Sequence, residues 1–341
     1  MLAFESDYTT GAHPEVLSRL VETNGESQVG YGEDEYCARA KEKILAACGT
    51  PLGQVYFLTG GTQTNRLVIS TLLRPFEGVM AAQTGHIAVH EAGAIEGSGH
   101  KVITLPQREG KVDARDVDAA MAAWAADGTR EHMVHPAMVY ISHSTEYGTL
   151  YTKEELTRLS EVCRKWEIPL YMDGARLAYA IASPDTDLDL PTIAALCDVF
   201  YVGGTKVGCL CGEAVVFPRG NAPRGFFTMI KQQGALMAKG RVLGVQFDAL
   251  FTNNLYFRIG ERAVALAMQI RDCLKAKGYD FAIESPTNQQ FPILTAEKME
   301  QLRPHVRFSV WEPTADGRTV VRFATGPLTT EDEVKALCRL L

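Results

Sequence analysis

No stretch of this 341-residue chain approaches the roughly 20 consecutive apolar residues that a helix needs to cross a bilayer, so no membrane partner is expected. Basic tracts are missing as well, and a formal net charge of −7 argues against a polyanionic partner such as nucleic acid. The opening residues, Met1-Leu2-Ala3-Phe4-Glu5-Ser6-Asp7, lack the basic region and apolar segment of a secretory signal, and the expectation is a cytoplasmic protein. Eight cysteines are scattered without CxxC pairing, which points to reduced thiols, with neither a zinc site nor a disulfide framework. Cys209 and Cys211 form a C-x-C that strand alternation would turn to one face, where core packing accounts for both. Repeats and low-complexity segments are also lacking.

What is present suits an enzyme-sized globular protein: 46% hydrophobic and 22% charged residues, with length for about two domains. Glu35 to Ala47 reads as an amphipathic helix stopped by Gly49-Thr50-Pro51, and Val55 to Leu58 as a short buried strand. Helical and strand-like segments then alternate: Thr64 to Leu73, Gly78 to Ala82, Glu91 to Glu96, Val102 to Leu105, Ala114 to Ala126, Val139 to Ser142, Lys153 to Trp166 and Leu170 to Asp173. Such alternation predicts an α/β fold with a mostly parallel sheet covered by helices. After Gly234 a long helical stretch runs through Lys277, followed by shorter strands and a closing helix from Thr330. Asp316-Gly317 between two β-rich runs predicts a hairpin. We therefore expect a large domain over residues 1–245, including an N-terminal arm, and a smaller C-terminal α+β domain over 246–341.

Two turns carry the chemistry. Asp173-Gly174-Ala175-Arg176 ends one apolar run, and Gly203-Gly204-Thr205-Lys206 follows another, Asp198 to Val202, just before the buried-looking run Glu213 to Phe217. Taken singly, a lysine is most often a solvated surface charge. Between two buried strands an amine is expensive to hold as a cation, so a lowered pKa or a covalent imine explains it, with a structural ion pair as the plainer alternative. An Asp and then a Lys, each at a strand end, is what pyridoxal phosphate needs. The ε-amine condenses with the cofactor aldehyde, and the carboxylate keeps the pyridine nitrogen protonated so that the ring accepts carbanion electrons.

Other segments fit the same reading. Thr59-Gly60-Gly61-Thr62 follows the first buried strand and opens a helix, so backbone N–H groups converge there on an anion such as the cofactor 5′-phosphate. Alone it could be a plain tight turn, and it is not the G-x-x-x-x-G-K-[ST] loop of nucleotide hydrolases. His86, in Gly85-His86-Ile87, is placed in a loop where an imidazole could lie against the pyridine ring. Arg176 and Arg322 could fork a substrate carboxylate, though Arg322 could equally be an exposed strand charge.

Taken together, Ser6-Asp7, Gly60-Gly61-Thr62, His86 with Glu91-Ala92-Gly93, Asp173-Gly174-Ala175-Arg176, Thr205-Lys206 and Arg322-Phe323-Ala324-Thr325 resemble the low-specificity threonine aldolases of the aspartate-aminotransferase-like fold. The resemblance covers nearly the whole chain. It implies a cofactor imine on Lys206, His86 stacked on the ring and acting in catalysis with Lys206 and Asp173, and Gly60, Gly61, Thr62, Arg176 and Thr205 in the cofactor site. Ser6, Arg176 and Arg322 would then hold the carboxylate of a small amino acid substrate. It also implies a homodimer or homotetramer in which Gly30-Tyr31-Gly32 and Lys231 reach the partner's cofactor, Tyr31 meeting its substrate.

Two departures stand out. Family members usually have Ser before the lysine and Gly-Leu-Gly after it; this chain has Thr205 and Val207-Gly208-Cys209, and threonine keeps the hydroxyl. Where members carry Asn-Thr-His-Asn, with the histidine facing the substrate side chain, this chain reads His143-Ser144-Thr145-Glu146-Tyr147. Either His143 or Glu146 takes that place, with His86 acting directly or through water, or the substrate's β-substituent differs from threonine's. The expected reaction is cleavage of L-threonine, L-allo-threonine or a related β-hydroxy-α-amino acid to glycine and an aldehyde. β-Elimination on another amino acid and a silent cofactor-binding homologue are the alternatives.

Overall fold

The computed structural model describes residues 1–341. Its strands are β1 (Leu2–Ala3), β2 (Gln54–Leu58), β3 (Glu77–Ala82), β4 (Val102–Leu105), β5 (His135–Ser142), β6 (Leu170–Asp173), β7 (Val199–Gly203), β8 (Glu213–Phe217), β9 (Phe281–Ile283), β10 (Gln289–Leu294), β11 (Val306–Arg307), β12 (Ser309–Pro313) and β13 (Thr319–Ala324). The α-helices are α1 (Pro14–Thr23), α2 (Glu35–Ala47), α3 (Gly61–Leu72), α4 (His86–Val89), α5 (Ala114–Ala126), α6 (Lys153–Lys165), α7 (Leu177–Ile181), α8 (Leu190–Leu196), α9 (Phe226–Gln232), α10 (Arg241–Leu250), α11 (Leu255–Ala276), α12 (Ala296–Leu302) and α13 (Glu331–Leu340). No helix is long and apolar enough to cross a membrane.

Seven strands form the main sheet in the order β2-β8-β7-β6-β5-β3-β4. All its pairings are parallel except those of β8, which runs against both β2 and β7. The sheet is buried on both faces, as a helix-covered parallel sheet must be. Alternation along each strand then sorts the side chains. Val139, Ile141, Met172, Phe200 and Val202 join one core, while Met138, Tyr140, Tyr171, Val199 and Tyr201 join the core on the opposite face. The mostly parallel α/β reading therefore holds.

The tail forms a four-stranded antiparallel sheet, β12-β13-β10-β9, with its own core against α11 and α13. The Asp316-Gly317 hairpin is there: β12 and β13 are antiparallel neighbours, and Gly317 has the left-handed φ of 84° that such a turn favours. Thr330 caps α13 through a capping box with Glu333. The opening strand β1 leaves the large unit and pairs with β11.

Three local expectations fail. Glu91 to Glu96 is a turn, because Ala92 (φ 50°) and Gly93 (φ 69°) leave helical space. The long helical stretch after Gly234 is two helices, α10 and α11, separated where Asn253 and Asn254 take φ 50° and 57°. Cys209 and Cys211 lie in the turn before β8, not on a strand, although Cys209 is buried in the main core.

Helix α11 crosses α7 closely at Gly260, where an added Cβ would run into the Ala178 carbonyl oxygen. In an open helix, Gly→Ala gains about 1 kcal/mol. Here overpacking reverses the sign: Gly260→Ala is expected to destabilise the protein by about 1–3 kcal/mol, read as a lower urea midpoint.

Candidate active site

The carboxyl ends of β5, β6 and β7 open on a cavity of about 260 Å³. Period-two alternation sets its floor. Tyr140 and Tyr171 are register partners on one sheet face, Tyr201 shares that face, and Asp173 follows Tyr171 by two. The buried Asp173 carboxylate therefore meets a ring of donors. Tyr201 Oη donates to Oδ1, Tyr140 Oη to Oδ2 at 2.7 Å, Asn65 Nδ2 to Oδ2 at 3.0 Å, and the Ala175 N–H to Oδ1 at 3.0 Å. Burial alone would push its pKa up, but the His86 charge and these bonds hold it below the usual carboxylate value.

Lys206 lies in the turn between β7 and β8 and lines the same cavity. Burial and the neighbouring Arg176 push its amine below the ordinary lysine value, against the pull of Asp7, Asp173 and Glu213. Glu213, which opens β8, accepts a bond from the Gly204 N–H at 3.1 Å. Burial raises its carboxyl to about 7, against the bonds from Thr205 and Gly204 and the charge of Lys206.

At the other wall, α3 starts at Gly61 with no side-chain cap, and open space surrounds Gly60 where a Cβ would point. Its first N–H groups, with Thr62, therefore face the cavity as anion donors. His86 opens the one-turn helix α4 and does not sit in a loop. Its Nδ1 lies 2.8 Å from Glu91 Oε1, which also accepts from Asn65 Nδ2 at 2.7 Å, while Asn65 Oδ1 accepts from Tyr171 Oη at 2.7 Å. A continuous network thus runs from His86 through Glu91 and Asn65 to Asp173.

Eight of the residues singled out in the sequence line this one cavity: Gly60, Gly61, Thr62, His86, Asp173, Arg176, Thr205 and Lys206. Four do not. Arg322 is buried beside it, bonded to Gln289 Oε1 (3.0 Å), the Glu5 carbonyl (3.0 Å) and Ser309 Oγ (3.3 Å), and its guanidinium lies 5.1 Å over the Trp311 ring. Its Nε and the buried Ser6 Oγ have no hydrogen-bond partner. Tyr31 stands apart, in an apolar groove with Phe227 and Met237, with Lys231 4.7 Å over its ring. His143 is also misplaced by the sequence reading. Its N–H continues the ladder to the Asp173 carbonyl, so parity turns the ring to the face opposite Ser142, into the core beside Tyr151. Neither ring nitrogen is bonded, and burial pushes its pKa down to about 4. Glu146, by contrast, lines the cavity.

The sequence reading missed the partner of Arg176. Asp7 takes Nε at 2.7 Å and Nη2 at 3.0 Å, a fork-to-fork pair, and also accepts from Asn288 Nδ2 at 2.9 Å. It gave no role to Asn65 or the three tyrosines either, although their polar tips at one strand end were a usable signal.

The sequence profile described as beta-eliminating lyase matches residues 3–291. The chain belongs to the beta-eliminating lyase family. A low-specificity L-threonine aldolase from Pseudomonas sp. is 30% identical over 88% of this chain and 86% of its own length. The solved threonine aldolase of Leishmania major is 41% identical, with a TM-score of 0.96 over 100% of this chain and 98% of its own. A Thermus thermophilus aspartate aminotransferase variant, at 13% identity and a TM-score of 0.71 over 100% of this chain and 92% of its own, shares the fold. The protein is thus a lyase with the aspartate-aminotransferase-like fold, and family and fold imply pyridoxal phosphate as its cofactor.

Burial works against the Asp7 carboxylate, but Arg176 and Lys206 hold its pKa at about 2 against the ordinary 3.8. A folded-state pKa below the unfolded one gives stability that is full above about pH 4 and lost as pH falls toward 2, here about 2 kcal/mol. Urea unfolding across this window should show that loss in the wild type and not in Asp7→Asn. At pH 7 the variant should be about 3 kcal/mol less stable, because Arg176 is left buried without its partner.

Proposed function

We propose that this lyase cleaves L-threonine, L-allo-threonine or a related β-hydroxy-α-amino acid to glycine and an aldehyde. One observation carries the reading: Lys206, Asp173 and the uncapped start of α3 share a single cavity. The threonine aldolase names of the Pseudomonas and Leishmania relatives supply the substrate class. These residues fit pyridoxal phosphate, with an amine for its aldehyde, an anion for its ring nitrogen and N–H donors for its phosphate. When bound, the cofactor supplies a carbonyl to capture the substrate amine and a ring to accept the Cα–Cβ electron pair.

The chain's own groups do the remaining work. The lowered pKa of Lys206 makes its neutral, nucleophilic amine accessible, and afterwards that amine can carry a proton to or from Cα. Asp173 stays anionic through its four donors and so favours a protonated ring nitrogen. His86, oriented by Glu91, lines the cavity as a flat platform. The substrate carboxylate is assigned to Ser6, Arg322 and the nitrogen of Arg176 that Asp7 leaves free. Arg322 supports this assignment, since burial and the like charge of Arg176 push its pKa down to about 10, and an incoming anion would relieve both.

The division of the chain near residue 245, a cytoplasmic location and a homodimer or homotetramer belong to the same proposal. The half-exposed Tyr31 and Phe227 on the apolar groove favour a partner copy there.

Mixed with pyridoxal phosphate, the purified protein should develop a visible absorbance band and release equal amounts of glycine and acetaldehyde from L-threonine. Lys206→Ala should abolish the band and lower turnover at least about 10²-fold. A keto acid with ammonia, in place of glycine with an aldehyde, would make the reaction an elimination.

A further inference from the structure

Strand β5 ends at Ser142, and the chain turns through a loop closed by bonds from the Thr145 N–H to the Thr149 carbonyl and from the Gly148 N–H to the Thr145 carbonyl. The Gly148 carbonyl accepts from Ser285 Oγ (3.0 Å) and Thr287 Oγ1 (3.2 Å), which fastens the loop to the C-terminal unit. Glu146 projects from this fixed loop into the cavity wall, only 9% exposed. Its Oε1 is held twice, by the His86 N–H at 2.9 Å and by Ser142 Oγ at 2.7 Å. Its Oε2 is buried with no partner, as is the nearby Oγ of Ser144, which also lines the cavity.

A carboxylate on a residue that lines the substrate cavity, with one oxygen anchored by two donors and the other buried without a partner, has a lone pair left to accept a proton. We infer that Glu146 Oε2 takes the β-hydroxyl proton of the substrate in the cleavage step, an assignment that rests on the aldolase reading above. The substrate O–H bond breaks as the proton passes to Oε2, and C–O becomes C=O. As the Cα–Cβ bond breaks, its electron pair would pass to the electron sink that pyridoxal phosphate supplies when bound. Glu146 then returns its proton to solvent, while Cα takes one and leaves as glycine, so protons balance.

The environment suits this work. Burial raises the Glu146 carboxyl, the Ser142 bond and a backbone N–H lower it, Asp173 raises it and His86 lowers it. Tyr140 beneath, Tyr147 and Tyr151 on its own segment and Glu91 behind His86 complete the titratable surroundings. The net upward shift moves the carboxylate toward the working pH, where a base is most effective. His86 has less freedom for the task, since its Nδ1 is already engaged by Glu91.

Because the base must be ionised, kcat/KM for threonine should fall on the acid side as Glu146 protonates. Glu146→Gln should remove that acid limb and lower cleavage by about 10²–10⁴-fold. The cofactor absorbance, the spectral change on adding glycine and the exchange of glycine α-hydrogen in deuterium oxide should all persist, because none involves a β-hydroxyl. Ser142→Ala removes a donor to the charged form and should move the acid limb to higher pH, which keeps a test in hand if Glu146→Gln does not fold. Wild-type cleavage rates in Glu146→Gln would overturn the inference and point to His86 or water. Loss of cofactor binding and glycine exchange together with cleavage would also overturn it, as a purely structural role. So would an acid limb unmoved in Ser142→Ala. A wild-type protein that yields no aldehyde from any β-hydroxy-α-amino acid while still exchanging glycine would instead sink the aldolase reading itself.

Discussion

The anionic Asp173 inside the sheet is the constraint on which the rest depends. A lone carboxylate at that depth would cost several kcal/mol and would protonate. Two tyrosine hydroxyls, an asparagine amide and a backbone N–H keep it charged, and each has its own support. Tyr140 and Tyr201 come from the two strands flanking β6, while Asn65 is braced by Tyr171 and Glu91. The same sheet register that packs the core therefore fixes the charge, and the charge in turn decides which ligand chemistry the cavity accepts.

Around that anion the cavity holds opposed groups in a low-dielectric space. Lys206 and Arg176 lie near Asp7, Asp173 and Glu213; burial and the Arg176 charge depress the lysine against the pull of the carboxylates, while the two cations hold Asp7 at about 2 and burial lifts Glu213 to about 7. Groups of one chemical type thus take different protonation states at neutral pH, which a site needs if it is both to attract an anion and to move protons.

Much of this was legible in the sequence, because two-residue alternation and glycine turns are local signals. The apolar run Leu170 to Asp173 coincides with strand β6, and the Gly60-Gly61-Thr62 turn, Asp173 and Lys206 meet in one cavity. What escaped notice was non-local. The pairing of Asp7 with Arg176 depends on an arm whose course no periodicity reveals. Tyr140, Tyr171 and Tyr201 read as core aromatics, and only the strand order shows their hydroxyls converging. His143 and Glu146 both looked eligible for the substrate side, and strand parity past Ser142 separated them. The helix expected at Glu91 to Glu96 is absent because Ala92 takes φ 50°, outside helical space, and an alanine gives no local signal of that.

The amino-terminal arm has a consequence for biosynthesis. Asp7 bonds Asn288, and the Glu5 carbonyl bonds Arg322, so the arm is synthesised 281 to 317 residues before the segments on which it docks. Contacts of such long sequence separation form late in folding. A nascent polypeptide that has not yet reached Arg322 therefore carries Lys206 and Asp173 but lacks a finished reaction chamber.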